Sequence, residues 1–388
     1  MHIRKTDSLS HDPNIVFNHQ HGIAIKHIAI CQGTTDPHAK RGIIGTGQKA
    51  VMFSECFAHL TASSKSGRRV YAHDDFNSSG PKGISLLMSI LWILLTIAAA
   101  FLQNVRSALQ KHLKGRLGTT GATFVRFGYG FPVAITYLTI LIFVFDFEMP
   151  KPNVTFISFV AIGGLAQITA TALLVTLFDA RNFAVGTTYS KTETVQAAIF
   201  ALIFLGESIS LTATLGILVS LVGVIAISAT KSAGGLGGIA KSWTNRAALT
   251  GLASGAFFGI AAISVRGGSL SLGGNGFLVQ ASFTLAVMLI FQTIIMLSYM
   301  AVRNVSELRD VLRAWRVAIW VGASGAVASI GWFTAMTIQN AALVRALGQI
   351  ELVFTIVASV VVFREKIVRT ELIGILLVVG GILILLLG

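Results

Sequence analysis

Charge is scarce in this chain: Asp, Glu, Lys and Arg make up only 12% of its 388 residues, against about 25% in an ordinary soluble domain. Hydrophobic residues fill 54%, and the mean hydropathy is +0.75. Too little polar surface remains to cover a globule of this length, and the same figures exclude a wholly disordered chain, collagen and a coiled coil. Cysteine stops at Cys56, with Cys31 the only other, so no disulfide framework is available. Beyond residue 83 the only histidine is His112. No intramembrane Ser/His pair, His-Glu-x-x-His zinc helix or paired aspartates can be assembled there, and no P-loop occurs. The expectation is therefore no enzyme, no cofactor and no direct drive by ATP. The formal net charge of +14 would suit a nucleic-acid binder, so its location matters more than its size.

The chain divides near residue 83. Residues 1–83 hold 10 of the 30 Lys and Arg, 6 of the 16 acids and 8 of the 9 His, with no sustained apolar period. Asp12-Pro13, Asp36-Pro37 and Ser79-Gly80-Pro81 punctuate it. It reads as a disordered extension, or as a preface from a mis-assigned start ahead of Met88. It has no secretory h-region, and Asp7, Asp12 and Asp36 weigh against a mitochondrial presequence. His11, His19, His21 and His27 lack the spacing of a structural zinc site.

From Ile84 onward, ten apolar runs are long enough to cross a hydrocarbon layer about 30 Å thick, which takes about 20 helical residues. They cover 84–105, 122–145, 155–178, 183–205, 209–229, 247–266, 276–302, 317–338, 341–363 and 371–387. Runs this continuous in lipid mean helices, because a helix satisfies its own backbone. Gly251-xxx-Gly255-xxx-Gly259 marks a face for close helix approach.

A shift of 158 residues lays the fourth and fifth runs on the ninth and tenth without a gap. Asn182 falls on Asn340, Glu193 on Glu351, Glu207 on Glu365, Gly216 on Gly374 and Gly223 on Gly381, among eleven identities in the 47 positions 182–228. Shared aliphatic composition does not align two glutamates, an asparagine and two glycines in one register. Each copy has an odd number of helices, so the copies enter the membrane in opposite senses. The expected fold is an all-α polytopic membrane protein: ten transmembrane helices in two inverted five-helix repeats, 84–229 and 247–388, joined by a linker at 230–246. Such repeats are a mark of secondary transporters, with the solute site at their interface near mid-membrane. Gly234-Gly235-Leu236-Gly237-Gly238 belongs to that linker and not to a phosphate cradle.

From Lys111 onward the odd-numbered loops carry fourteen Lys and Arg, and the even-numbered loops only Lys151 and, at the edge of the sixth run, Arg266. This places the odd loops in the cytoplasm. The basic N-terminal stretch then falls on the wrong side, and the reverse orientation holds if that segment is retained.

Leu205-Gly206-Glu207 at the end of an apolar helix, a short polar link and Gly216-xxxxxx-Gly223 form a pattern. Its second copy is Phe363-Arg364-Glu365, Gly374 and Gly380-Gly381. This pattern resembles the EamA family of the drug/metabolite transporter superfamily, over essentially residues 84–388. One departure stands out: such domains often have a proline about 13 residues before the terminal glutamate, where this chain has Thr194 and Leu352. The resemblance implies a ten-helix carrier of small organic solutes, in a superfamily whose range includes amino acids, nucleotide sugars, sugar phosphates and drugs.

Charges inside the apolar runs are the candidate site, since each costs about 2.5–3.5 kcal/mol at a membrane-helix centre unless partnered or wet. Lys191 and Glu193 lie in the fourth run, Arg345 and Glu351 in the ninth: two cations and two anions, in balance. At 100° per residue Lys191 and Glu193 stand about 200° apart and do not share a face. Tyr189, Glu193 and Gln196 make one stripe, and Arg345 and Gln349 another. Glu193 and Glu351 can couple transport to protons, or each can neutralise a cation and lock the halves together. Lys191 and Arg345 can capture an anion or simply pair, and Arg345 is near enough to its helix end to snorkel. Trp332 and Tyr129 can stack a cargo ring, though packing accounts for them as well. Arg126 is expected to snorkel, and Glu207 and Glu365 to bond loops. The reading is a secondary carrier, in the direction of export, in a bacterial-type plasma membrane, as a monomer or homodimer. Its partners are the bilayer, a small solute and protons. An exchanger of nucleotide sugars or sugar phosphates is favoured if Lys191 and Arg345 face the cavity together. A non-transporting receptor or scaffold would need no central charges.

Overall fold

The computed structural model describes residues 82–177, 183–230, 244–274, 276–363 and 368–387, with Gly235 and Gly237. The expectations for the N-terminal extension, its histidines, Asn182 and Glu365 lie outside the described residues. Helices come in the order α1 (Lys82–Lys114), α2 (Thr119–Gly128), α3 (Phe131–Phe143), α4 (Val154–Leu177), α5 (Phe183–Ser190), α6 (Glu193–Phe200) and α7 (Leu211–Thr230). They continue with α8 (Arg246–Ser271), α9 (Phe277–Arg303), α10 (Val305–Arg313), α11 (Trp315–Ile338), α12 (Ala341–Leu347), α13 (Glu351–Phe363) and α14 (Arg369–Leu387). No strand occurs among the described residues.

Eight helical stretches are long and apolar enough to cross a membrane: α1 from Ile90, α2 with α3, α4, α7, α8, α9, α11 and α14. The expected fourth and ninth crossings are missing from this set because each is interrupted. Lys191 and Thr192 separate α5 from α6, and a 3₁₀ turn at Gly348–Ile350 separates α12 from α13. The first break is local chemistry. The N–H groups of Lys191 and Thr192 turn back to the carbonyls of Thr188 and Tyr189, and the Thr192 hydroxyl donates to Tyr189 at 2.6 Å. A threonine that bonds its own backbone competes with the helical ladder in this way. The second break is at Gly348, where a Cβ would strike the Trp332 ring.

Helix α1 runs 33 residues, about 50 Å, well past the end at residue 105 that hydropathy suggests. Gly128-Tyr129-Gly130 divides α2 from α3, and Pro132 sits in the first turn of α3, where a missing N–H costs nothing.

Packing joins one copy to the other reciprocally. A Cβ on Gly216 would lie 2.6 Å from the Gly381 carbonyl, and one on Gly223 would lie 2.7 Å from that of Gly374. The repeat pairs Gly216 with Gly374 and Gly223 with Gly381, so α7 and α14 cross at each other's counterparts and run antiparallel. Likewise α1 packs antiparallel on α11, with Gly331 against Leu95 and Ala99 and Gly325 against Arg106. Its counterpart is α8 on α4, with Ser264 against Gly163 and Phe159 against Gly267. Such reciprocity is what a two-fold relation produces. The glycine stripe of α8 meets α5: Gly251 abuts the Gly186 carbonyl, and a Cβ on Gly255 would sit 2.8 Å from that of Ser190. Short α10 is tied down by Glu307, whose Oε1 accepts the Gly121 N–H in the first turn of α2 at 2.7 Å.

Candidate functional site

Both interruptions open onto one cavity of about 440 Å³ between the copies. Lys191 lies in the first break with Glu193 just after it, and Arg345 and Glu351 stand on either side of the second; all four line the cavity. Lys191 and Glu193 therefore do reach a common space, against the 200° expectation, because the helix does not run continuously between them. The ion pairs cross between copies. Lys191 Nζ donates to Glu351 Oε1, and Arg345 Nη1 stands 3.9 Å from Glu193 Oε1. Glu351 is held further by Gln103, whose Nε2 donates to Oε2 at 2.8 Å, while Asn104 Nδ2 reaches the Glu351 carbonyl at 2.6 Å.

Arg345 does not snorkel. It is buried, with its guanidinium 5.1 Å from the Trp332 ring centroid and 5.7 Å from that of Phe258, a cation–π arrangement. Trp332 lines the cavity beside it. Gln349 is buried but is not among the lining residues, and its Oε1 has no donor among the described residues. Tyr189 lies one residue before lining Ser190 and is not itself on the wall. Tyr129 sits outside the cavity, its hydroxyl 3.5 Å from the Val311 carbonyl.

The wall carries two further cations, Arg106, which the sequence reading does not single out, and Arg126. Arg106 follows Gln103 by one turn on the extension of α1, beyond the expected end of the first crossing. The polar spacing Gln103, Arg106 or Ser107, Gln110 was the available signal. Arg126, expected to snorkel, is 7% exposed and donates to the Thr171 hydroxyl at 2.8 Å. Its position near the C-terminus of the short helix α2 suits a cation electrostatically. The expected balance of charge is thereby corrected: the described lining carries four cations, Arg106, Arg126, Lys191 and Arg345, against Glu193 and Glu351.

A family model for EamA-like transporters matches residues 90–229 and, a second time, residues 245–387. The chain belongs to the EamA-like transporter family. It is an integral, multi-pass membrane protein with a two-copy architecture. No curated protein matches the sequence significantly. Among solved structures, one crystal structure matches 76% of this chain and 94% of its own, with a TM-score of 0.54 and 15% identity, a likeness of fold.

In this EamA-like chain the family's terminal Glu207 sits just after Gly206, which adopts φ +67°. Glu207 receives Arg266 Nε at 2.6 and 2.9 Å and Asn340 Nδ2 at 2.8 Å. Arg266 also donates to the carbonyls of Met336 and Gln339, both at 2.8 Å. It is a buried residue of α8 and not the loop cation that the sequence suggested. With Val265 and Met336 on the cavity wall, this cluster ties both copies together one residue beyond the cavity.

Proposed function

We propose that this protein is a secondary carrier of a small organic solute, working by alternating access around the cavity between its copies. In this reading the interrupted segments 183–205 and 341–363 also cross the membrane, giving ten crossings in two inverted five-helix repeats, in a bacterial-type plasma membrane. The observation that carries it is the pair of breaks at equivalent positions of the two copies, both opening on one charged cavity. Discontinuous helices so placed are the usual makings of a solute site. The crossed ion pairs supply a two-state element, since opening either side of the cavity requires the copies to part at Lys191–Glu351 and Arg345–Glu193. Protonating a glutamate would weaken its pair, which is how export against protons would be coupled. A second reading, exchange of nucleotide sugars or sugar phosphates, is favoured by Lys191 and Arg345 lining the same cavity.

Flux in sealed proteoliposomes over amino acids, nucleosides and sugar phosphates tests the carrier. Saturable, protein-dependent flux of one class is expected, and permeability equal to protein-free vesicles for every class contradicts it. Glu193→Gln and Glu351→Gln are expected to abolish dependence of that flux on a pH gradient. Unchanged coupled flux in both would exclude coupling through these carboxylates.

A further inference from the structure

We infer that the cargo is an organic dianion, its charge received by Arg106 and Arg126. This deepens the carrier reading and rests on the cavity being the solute site. The crossed pairs use up Lys191 with Glu351 and Arg345 with Glu193. Among the described residues, two guanidiniums remain with neutral partners only: Arg126 on the Thr171 hydroxyl at 2.8 Å, and Arg106 on the Ser107 hydroxyl at 3.3 Å. Both are more than nine-tenths buried. Both flank Gly325, and with Arg345 they line one cavity, so the three guanidiniums form one field. An arginine does not shed this burden by losing its proton, whereas a lysine could. Buried charge without a counter-ion is costly, and the excess on the described wall is two.

Unused donors point the same way. Arg106 Nε, Arg345 Nε and Trp332 Nε1 are buried without acceptors among the described residues. All three side chains line the cavity and are at least nine-tenths buried. A ligand that answers them carries several acceptor oxygens and two negative charges. Phosphate monoesters and dicarboxylates share that chemistry, and guanidinium forks match the oxygens of either. The apolar body of the cargo would lie against Phe258 and Trp332, which already flank Arg345.

Thermal unfolding of the purified full-length protein tests this at fixed ionic strength with glycerol 3-phosphate, succinate, lactate and glycerol. The expected result is a rise in Tm with at least one of the two dianions, a smaller rise with lactate and none with glycerol. The stronger dianion identifies the phosphate or dicarboxylate source. Arg126→Gln should lower the affinity for that dianion by tenfold or more. Equal protection by lactate or glycerol, or no protection by either dianion, overturns the inference. A second variant needs no cargo: Arg106→Gln removes half the excess, so the unliganded protein should melt higher by roughly 2–4 °C. An unchanged or lower Tm would count against the uncompensated charge. Failure of the carrier reading would look different, with dianion binding intact and no flux of any solute.

Discussion

Helices α7 and α14, and the interrupted segments α5–α6 and α12–α13, share one 158-residue register but use it in different ways. In α7 and α14 the matched glycines are identical and each meets the other copy's counterpart: Gly216 faces Gly381 and Gly223 faces Gly374. In the interrupted segments the acids match, Glu193 with Glu351, but the cations do not. Lys191 is matched by Gln349, and Arg345 by Thr187. Where two backbones touch, only hydrogen fits as a side chain, so each copy needs glycine at the crossing. Around a cavity, each carboxylate needs a cation, and either copy can supply it from any position within reach. Symmetry persists where packing dictates the residue and lapses where only charge has to be satisfied.

The largest effect is expected at the crossing. Gly223→Leu would drive a side chain into the backbone of α14, whereas nothing lies within 4 Å of a Cβ at Gly380. Folded yield by size-exclusion chromatography should collapse for Gly223→Leu and hold for Gly380→Leu. Equal yields would break the contrast between the matched and unmatched glycines. Next comes Glu351→Gln, which leaves Lys191 with its carboxylate partner gone; about 3 kcal/mol of stability should be lost in thermal or denaturant unfolding. Little loss would mean that the crossed pairs do not hold the copies.

A smaller effect is expected at the second ion pair. Arg345→Thr leaves Glu193 without its cation and should cost about 2 kcal/mol, since that pair is long at 3.9 Å. Adding Gln349→Lys places a cation at the position that stands to Glu193 as Lys191 stands to Glu351 under the 158-residue register. The double variant should recover about half of the loss, and no recovery would deny that the positions are interchangeable. The smallest effects belong to the surface helix α10. Glu307→Gln weakens a bond to the first turn of α2 and should cost about 1 kcal/mol. Asp310→Asn breaks an exposed pair with Arg313 and should fall within about 0.5 kcal/mol of zero.

Much of the scaffold was legible because bilayer thickness and backbone satisfaction leave few solutions. The repeat, the paired glycines and eight of the crossings follow from apolar run lengths and one sliding comparison. The site was legible only in part. Glu193, Glu351, Lys191, Arg345 and Trp332 stand out as polar or bulky residues in apolar runs, and all five line the cavity. Arg106 is hidden in the sequence because polarity near residue 103 looks like the end of a crossing, when α1 continues to Lys114. Arg126 and Arg266 mislead for a related reason: closeness to a segment end suggests escape to water, but both are buried. Periodicity also fails across a break: 100° per residue sets Lys191 and Glu193 on separate faces, although both reach the cavity.

A carrier working by alternating access would open this one cavity to each side of the membrane in turn. With Cys31 and Cys56 replaced by serine, no cysteine remains in the chain, and Ser329→Cys places a single thiol on the cavity wall. Labelling in oriented vesicles with a membrane-impermeant thiol reagent, applied from one face and then the other, measures its exposure. Alternating access predicts reaction from both faces, at rates that an imposed gradient of the transported solute shifts in opposite directions. Reaction from one face only, under every gradient, would contradict it.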